Sequence, residues 1–416
     1  MTEQRIASLL EAQAPGAWEL YQKEGASREI TRTANQSCET SRKEEGFAAR
    51  WWDPALRFAA ASSAAGLARL IPLAAGAPAA PGPVPRLPTG RSDRPPSPGP
   101  PEAPPDLFEE LARLVSAESR GEAVLSELSV RRGRSLERVR NAPGLDVSWS
   151  AKALTGFAAA VGRRGGRACE ARVPFRWEGE PALPALARRL CDRTTLPLSE
   201  RATAVERGEW LLDVSVTAAV LSGLAPLFTA DAHPRWAARG ALLPPEISIV
   251  DDATSEAPFD GEGTPSRRVL VVDRGTLGEP LHDLSSARRA GARPTGHGVR
   301  RSYRTPPVRA ARRLFFETQR PVSPRDLLAS VKRGVFASAL IAPLACDLEN
   351  DRYEAQFTGV TVVAGRAQSP VAAARARGRL SELLRRVAAL SPGEEFFPMP
   401  DLVGGATLLV DRVSFE

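Results

Sequence analysis

The sequence is poor in side chains that bind transition metals. It holds four cysteines and three histidines in 416 residues. These are Cys38, Cys169, Cys191, Cys346, His233, His282 and His297. They form no CxxC, HExxH, HExxxH or HxxEH motif, which are the spacings that zinc sites and zinc hydrolases use. The common zinc-hydrolase motifs are therefore excluded.

Long apolar runs are also missing. No stretch is long enough to span a bilayer, and the opening residues, MTEQRIASLL, lack the charged and apolar regions of a signal peptide. The scattered cysteines are typical of reduced thiols. The sequence therefore predicts a cytoplasmic protein without membrane contacts.

Lysine is scarce as well, with only four among 56 basic residues, although the net charge is +7. The basic residues are spread along the chain without the interleaved aromatic residues on which nucleic-acid bases stack. This pattern favours a solvated surface over a nucleic-acid site. The sequence also lacks a Walker A loop, a GxGxxG turn after a strand and a GxSxG nucleophile elbow.

Proline, by contrast, is concentrated in one segment. Residues 72–105 hold 13 of the 37 prolines. Because such a segment has few amide donors and little apolar bulk, it predicts a disordered insert or linker. It interrupts an N-terminal α+β domain, 1–71 and 106–205, and precedes a β-rich C-terminal domain, 206–416. The predicted class is α+β, with a curved sheet and helices in the first domain.

Periodicity predicts the elements within these domains. Strands are expected at AWELYQK, EITRTA, CETSRKE, VLSELSVRR and RSLERVRNAPGLDVSWS, and GFAARWW and RFAAAS predict a hairpin. PDLFEELARLVSAES predicts a helix capped by Asp106 with Glu109 in a capping box. SPRDLLASVKRG predicts a helix that begins at Ser323 and Pro324. EWLLDVSVTAAVLSGLAPLF predicts a strand followed by an apolar helix, and LSELLRRVAAL predicts another helix.

Five carboxylates fall within twelve residues beside two apolar runs. They are Asp251, Asp252, Glu256, Asp260 and Glu262. A metal site and an acidic turn between strands both fit this composition. No imidazole is adjacent and the spacing is not that of a calcium loop, which favours carboxylates that are solvated or paired with arginines such as Arg267 and Arg268.

The same region carries a family resemblance. ISIVDDATSEAPFDGEGTPSRRVLVVDRGTLGEPLHDLSSARRAGARPTGHGVRR resembles the signature of the TldD/PmbA (TldE) family, in which a VDD strand precedes a D-x-EG turn, an LHD segment and a TG(N/H)-x-R loop. The likeness continues through SPRDLLASVKRGVF, FTGVTVVAGRAQSPV and GGATLLV, and more faintly through EEGFAARWW and NAPGLDVSW.

The resemblance implies one of two roles. TldD-type members carry HExxxH on a helix upstream of the VDD strand, with a further cysteine ligand, and are metallopeptidases that act on peptides in a closed chamber. PmbA/TldE-type members are their metal-free partners. In this chain the corresponding helix reads DVSVTAAVLSGLAPLF and contains neither His nor Glu. The chain therefore resembles the non-catalytic branch, with no catalytic residue and no cofactor of its own, and zinc is expected only in a TldD-like partner.

Candidate residues for a substrate channel lie in the polar, glycine-containing parts of the resemblance. They are Asp260, Glu262, Gly263, Thr295, Gly296, His297 and Arg300. A Gly-rich loop with exposed basic residues explains the same pattern. His282 and Asp283 are interpreted as a structural hydrogen-bonded pair, and Trp51 and Trp52 as packing or interface aromatics.

Three hypotheses for function remain open. The first is a zinc-free subunit that pairs with a TldD-like chain and channels unfolded peptides. The second is a peptidase with an atypical metal site drawn from His233, His282 and Cys346. The third is a peptide-binding homodimer without catalysis.

Overall fold

The computed structural model describes residues 3–77, 84–93, 106–177, 182–199, 205–393 and 395–416. The helices in these ranges are α1 Glu3–Gln13, α2 Ala64–Ala75, α3 Leu107–Glu118, α4 Leu183–Thr195, α5 Val214–Leu224, α6 His233–Ala237, α7 Leu284–Ala290, α8 Pro324–Ser330 and α9 Leu380–Arg385. None of them is both long and apolar enough to cross a bilayer.

The strands in the first part of the chain are β1 Trp18–Arg32, β2 Ser37–Trp52, β3 Leu56–Ala61, β4 Arg91–Asp93, β5 Ala123–Asn141, β6 Asp146–Arg164 and β7 Arg167–Trp177. Those in the second part are β8 Arg207–Leu212, β9 Ile247–Asp252, β10 Arg268–Asp273, β11 Thr276–Leu277, β12 Gly298–Val299, β13 Val308–Arg309, β14 Arg313–Thr318, β15 Arg333–Leu340, β16 Ala345–Asp347, β17 Arg352–Val363, β18 Arg366–Arg379, β19 Val387–Leu390, β20 Glu395–Pro398, β21 Leu402–Gly405 and β22 Leu408–Ser414.

One curved sheet organises the first part of the chain. Its order is β3-β2-β1-β5-β6-β4, and β7 also pairs with β6. All neighbours are antiparallel except β4 and β6. The sequence predicts this sheet but divides its strands too finely. The segments AWELYQK and EITRTA form a single strand, β1, and VLSELSVRR continues through Gly133 into RSLERVRN as β5. CETSRKE and GFAARWW likewise join as β2, and the predicted hairpin of β2 with β3 is confirmed.

Helices cover one face of this sheet at two separate places. At one end α1 and α2 bury Ile6 and Leu67 against the strand residues Leu20 and Phe47. At the other end α3 and α4 bury side chains against Leu128, Leu154 and their neighbours. Because side chains alternate along a strand, the opposite face carries a different set, which includes Tyr21, Val139 and Trp149 and packs against Tyr303.

Two further sheets share the largest core. One has the order β11-β10-β9-β14-β21-β20, and the other has the order β16-β17-β15-β8-β22-β19 with β18 on β17. Helix α5 packs between them with Val216, Leu221 and Leu224 fully buried. The predicted β-rich architecture of this region is confirmed.

Three local predictions are wrong. Asp106 precedes α3, but its side chain makes no capping hydrogen bond. The helix predicted at LSELLRRVAAL ends at Arg385, and Val387–Leu390 pairs with β22 as a strand. The proline-rich insert is also less extensive than predicted, because Pro72 lies inside α2, Leu87 is buried and Arg91–Asp93 pairs with β6. Residues 78–83 and 94–105 of that insert lie outside the described residues.

Candidate functional site

Asp260 fixes the two loops of the signature region to each other. Its Oδ1 accepts hydrogen bonds from the amides of Glu262 and Thr264, both at 2.9 Å, and its Oδ2 accepts one from the amide of Gly298 at 2.8 Å. A buried carboxylate that accepts three amide hydrogen bonds acts as a structural acceptor. The turn and the loop 295–300 therefore form one unit.

Glycine is required at two points of this unit. Gly263 has a φ of 75°, and a Cβ there would lie 2.3 Å from Leu145 Cδ2. Gly296 has a φ of 79°, and a Cβ there would lie 2.6 Å from the carbonyl oxygen of Pro265. Both positions combine a left-handed backbone with close approach, so a side chain would strain the loops.

A buried ionic network joins these loops to the N-terminal sheet. Arg50 on β2 donates two hydrogen bonds to Glu19 on β1, at 3.0 and 2.7 Å, and its Nη1 lies 2.6 Å from Glu262 Oε1. Arg300 pairs with the same Glu19 and donates from Nε to the carbonyl of Gly261 at 2.6 Å. The side chains of all four charged residues are at most 3 % exposed.

Burial and neighbouring charge shift the pKa values in this network. Burial raises the pKa of Glu262 to about 7; the Arg50 guanidinium opposes the rise, and the Asp260 and Glu19 carboxylates add to it. Burial also raises the pKa of Asp260. Burial lowers the pKa of Arg300, against the attraction of Glu19. These charges are held in place by their partners, because desolvation alone favours the neutral forms.

The predicted histidine of the loop serves the fold. His297 is fully buried, with Nε2 3.0 Å from Asp251 Oδ1 and Nδ1 3.0 Å from the carbonyl oxygen of Thr295. Asp251 also accepts a hydrogen bond from the amide of Arg312 at 2.8 Å. The pair ties the loop to the end of β9.

The neighbouring His282 and Asp283 are likewise structural, although their side chains bond to a shared partner and not to each other as the sequence predicts. Both bond to Ser286: the imidazole Nδ1 lies 3.1 Å from its hydroxyl, and Asp283 accepts from its amide at 2.6 Å as the cap of α7. The backbone of His282 also exchanges hydrogen bonds with the hydroxyl of Thr295. Thr295, a predicted channel residue, therefore closes the base of the loop.

The interpretation of the acidic stretch as solvated is wrong for three of its five carboxylates. Pairing with an arginine is confirmed for Glu262, through Arg50, and for Glu256, although the arginines differ from the two that the sequence suggested. Asp251, Asp260 and Glu262 are buried. Arg267 and Arg268 instead pair with carboxylates elsewhere, Glu279 and Glu317. The sequence pattern missed burial because an acidic run between strands is typical of an exposed turn.

The alternative metal site is not assembled. Every histidine and cysteine falls within the described ranges, and no three His, Cys, Asp or Glu side chains of that part of the chain are grouped as metal ligands. His233 instead contacts the carbonyl of Gly278 at 2.9 Å, and burial raises the pKa of the Cys346 thiol to about 11. The described residues therefore do not bring His233, His282 and Cys346 together as one group of metal ligands.

A cleft of about 300 Å³ lies beside the ionic network. The inner face of the sheet supplies Trp149 and Glu137, and the loops supply Asp260 and Arg300. Arg301, at the rim, pairs with Asp401. The other five predicted channel residues, Glu262, Gly263, Thr295, Gly296 and His297, do not line this cleft; they lie behind it and support its wall.

Residues 237–416 match the family described as the PmbA/TldA metallopeptidase C-terminal domain. By this match the C-terminal region, 180 of the 416 residues, is similar to the TldD/PmbA family. Its fold agrees with solved structures along nearly the whole chain. TldE from Thermococcus kodakarensis superposes with a TM-score of 0.83 at 17 % identity, over 99 % of each chain. A Thermotoga maritima protein, proposed to modulate a DNA gyrase, superposes with a TM-score of 0.80 at 15 % identity, over 100 % of each chain.

A curated relative matches over a shorter stretch. A metalloprotease from Synechocystis is 31 % identical over 100 residues, which is 23 % of this chain and 21 % of that protein. The similarity to the TldD/PmbA family therefore rests on the C-terminal match, while the solved structures show the fold, and activity needs separate argument.

Sequence reasoning missed Glu19 and Arg50. Both lie in apolar strand segments, WELY and AARWW, where the neighbouring residues in the sequence are of types that are usually buried. Charges in such segments are rarely buried unless they are paired. That contrast is the signal that could have indicated a buried ion pair, although it does not identify the partner.

Proposed function

We propose that this chain is the non-catalytic, TldE/PmbA-like subunit of a metallopeptidase, pairing with a TldD-like chain that supplies the zinc. Unfolded peptides are the substrate class of the complex. The proposal rests on the similarity to that family and on one observation about α5.

Helix α5 occupies the place where the resemblance puts the zinc-binding helix. It follows β8, begins after Asp213, whose side chain accepts from the amide of Ser215 at 2.9 Å, and precedes the VDD strand β9. Its inward side chains are Ser215, Val216, Thr217, Ala218, Val220, Leu221 and Leu224. Aliphatic and hydroxyl side chains provide neither the imidazole ligands of a zinc peptidase nor its general base.

The cleft between the sheet and the signature loops is the proposed peptide passage. Its wall contains both signs of charge, with Arg301 and Asp401 at the rim, and an aromatic surface from Trp149 and Phe259. Small clefts of this mixed character suit a peptide backbone and varied side chains. The buried network behind the wall keeps the loops fixed while a peptide passes.

Co-expression tests the proposal. The chain is produced with a TldD/PmbA relative that contains HExxxH, and complex formation is measured by light scattering. Cleavage of an unfolded peptide is then compared for each chain alone and for the pair. We expect the pair to co-elute and to cleave, and this chain alone to be inactive.

Two outcomes contradict the proposal. If the relative is fully active alone and never co-elutes with this chain, the subunit role is wrong. If this chain elutes only as a homodimer that binds peptides, the non-catalytic peptide-binding hypothesis replaces it.

A further inference from the structure

The middle of the helix-covered face of the N-terminal sheet is open. The helices pack over Phe47 at one end and Leu154 at the other, and the strand residues between them form a trough with cavity volumes of about 900 and 420 Å³ in two adjoining parts. This trough lies on the opposite face from the cleft, because Trp149 and Glu137 of the cleft alternate with Ser150 and Leu136 of the trough.

Three basic side chains form one row across the trough. The strand register aligns Lys43 with Ala26, Ala26 with Arg134, and Arg134 with Lys152. All three cations are exposed, and none has an ion pair within the described part of the chain. Two of the protein's four lysines therefore lie in this row, and the small Ala26 separates Lys43 from Arg134.

An acidic row lies immediately beside the basic one. The register aligns Glu45 with Glu24 and Glu24 with Leu136, two residues further along each strand. Like charges directly opposite each other on neighbouring strands are destabilising. Arg134 faces Lys152, and Glu24 faces Glu45, so each row carries a repulsion that a ligand of opposite charge would relieve.

We propose that this trough binds an extended peptide segment that carries an acidic and a basic residue two positions apart. The rows are separated by two residues along the strands, or about 7 Å. Residues i and i+2 of an extended peptide lie on one side of its backbone at the same spacing. A peptide lying along the strands over Ala26 thus places its carboxylate between Lys43 and Arg134, with Lys152 on the far side of Arg134, and its cation over Glu24 and Glu45.

The lining favours a peptide over a nucleic acid. The trough has no aromatic side chain among the lining residues to stack a base, and Glu24 and Glu45 would repel a continuous phosphate backbone. Leu136 is 46 % exposed in the acidic row and offers an apolar contact to a peptide side chain. The site is independent of the proposed subunit role, since it uses the isolated chain and the other face of the sheet.

Fluorescence anisotropy of the full chain tests the site. The probe is a labelled dodecapeptide of repeated Glu-Ser-Lys-Ser units, and the control peptide has Gln in place of Glu and Lys. We expect binding of the charged peptide that weakens with salt. Lys43→Gln with Lys152→Gln should weaken it by about tenfold or more, whereas Lys332→Gln, an exposed lysine outside the trough, should not.

A second variant separates loss of the site from loss of folding. Glu24→Lys with Glu45→Lys should bind a Glu-Ser-Glu-Ser peptide more tightly than the unaltered protein does. Failure of the unaltered protein to bind the charged peptide overturns the proposal, as does equal affinity for the Lys43/Lys152 and Lys332 variants. The assignment to a peptide is also overturned if a twelve-nucleotide oligothymidylate binds more tightly than the charged peptide and loses that binding in the Lys43/Lys152 variant.

Discussion

Replacing Arg50 with methionine should destabilise the junction between the sheet and the signature loops more than any exposed charge change. Arg50 contacts Glu19 and Glu262, and its own side chain is 3 % exposed. Methionine keeps much of the volume but removes the positive charge. Glu262 then remains buried beside Asp260 without its counter-charge, while Glu19 keeps Arg300.

The expected cost follows from breaking a buried pair on one side only. Removal of one partner of a buried ion pair typically destabilises a protein by about 3–5 kcal/mol, because the remaining charge is uncompensated. The loss of stability should lie near the lower end of this range if Glu262 takes up a proton. Its pKa of about 7 makes protonation easy near neutral pH. Urea unfolding followed by tryptophan fluorescence measures the effect, since Trp51 and Trp52 directly follow Arg50.

Arg267→Met is the matched control. Arg267 also donates two hydrogen bonds to one carboxylate, Glu279, at 3.1 and 3.0 Å, but both side chains are more than 40 % exposed. Exposed pairs contribute about 0–1 kcal/mol. Equal destabilisation by Arg50→Met and Arg267→Met would refute the reasoning. Adding Glu262→Gln to Arg50→Met should recover part of the lost stability, because no unpaired carboxylate then remains buried beside residue 50.

Three further outcomes are expected. Burial raises the pKa of Glu262 above its unfolded value of about 4.3. Between these two pKa values the folded protein binds a proton that the unfolded chain releases. The contribution of Glu262 to stability therefore falls as pH rises from about 4.3 to about 7. Glu262→Gln should flatten that part of the stability profile in urea unfolding at several pH values. Leu87→Ala should cost about 2–5 kcal/mol in the same assay, since Leu87 is buried with Trp52 and Leu284; a change below about 0.5 kcal/mol would restore the view of 84–93 as an undocked linker. Metal analysis of the isolated chain should find no stoichiometric zinc, and about one tightly bound zinc per chain would contradict the proposed role.

Local chemistry allowed the sequence to predict several elements correctly. Ser323 and Pro324 define the start of α8, and the Ser323 hydroxyl accepts the amide of Asp326 at 3.1 Å as expected for a cap. The long strands were harder to predict. The predicted strands stop before Gly25 and Gly133, yet each glycine lies inside a strand, paired with Ser135 and Ser27 respectively. Cross-strand pairing on both sides outweighs the intrinsic cost of glycine there, and that pairing depends on residues distant in sequence.

The candidate site was likewise predicted only in its local part. The motifs identified the turn and the loop, and the structure brings them together through Asp260. Their burial could not be read from the motifs, because it is created by Glu19 and Arg50 from strands more than two hundred residues earlier. Long-range partners of this kind leave only an indirect trace, a charged residue inside an apolar strand.

Burial of the network changes how the peptide passage must be tested. Reversing the charges of Arg300 and Glu262 would be informative if both were exposed, as the sequence suggests. Both side chains are buried, so the double reversal would place like charges against Glu19 and Arg50 and unfold the junction. Loss of cleavage in that variant would say nothing about peptides.

Arg301 is the appropriate position instead. It lines the cleft, is 45 % exposed and pairs with Asp401 at the rim. Arg301→Ala should lower the free energy of unfolding by no more than about 1 kcal/mol and leave complex formation intact. If peptides pass through the cleft, it should reduce cleavage by the reconstituted pair, whereas Arg267→Ala should not. Normal cleavage by an intact Arg301→Ala complex would show that the passage lies elsewhere, while the subunit role itself would stand.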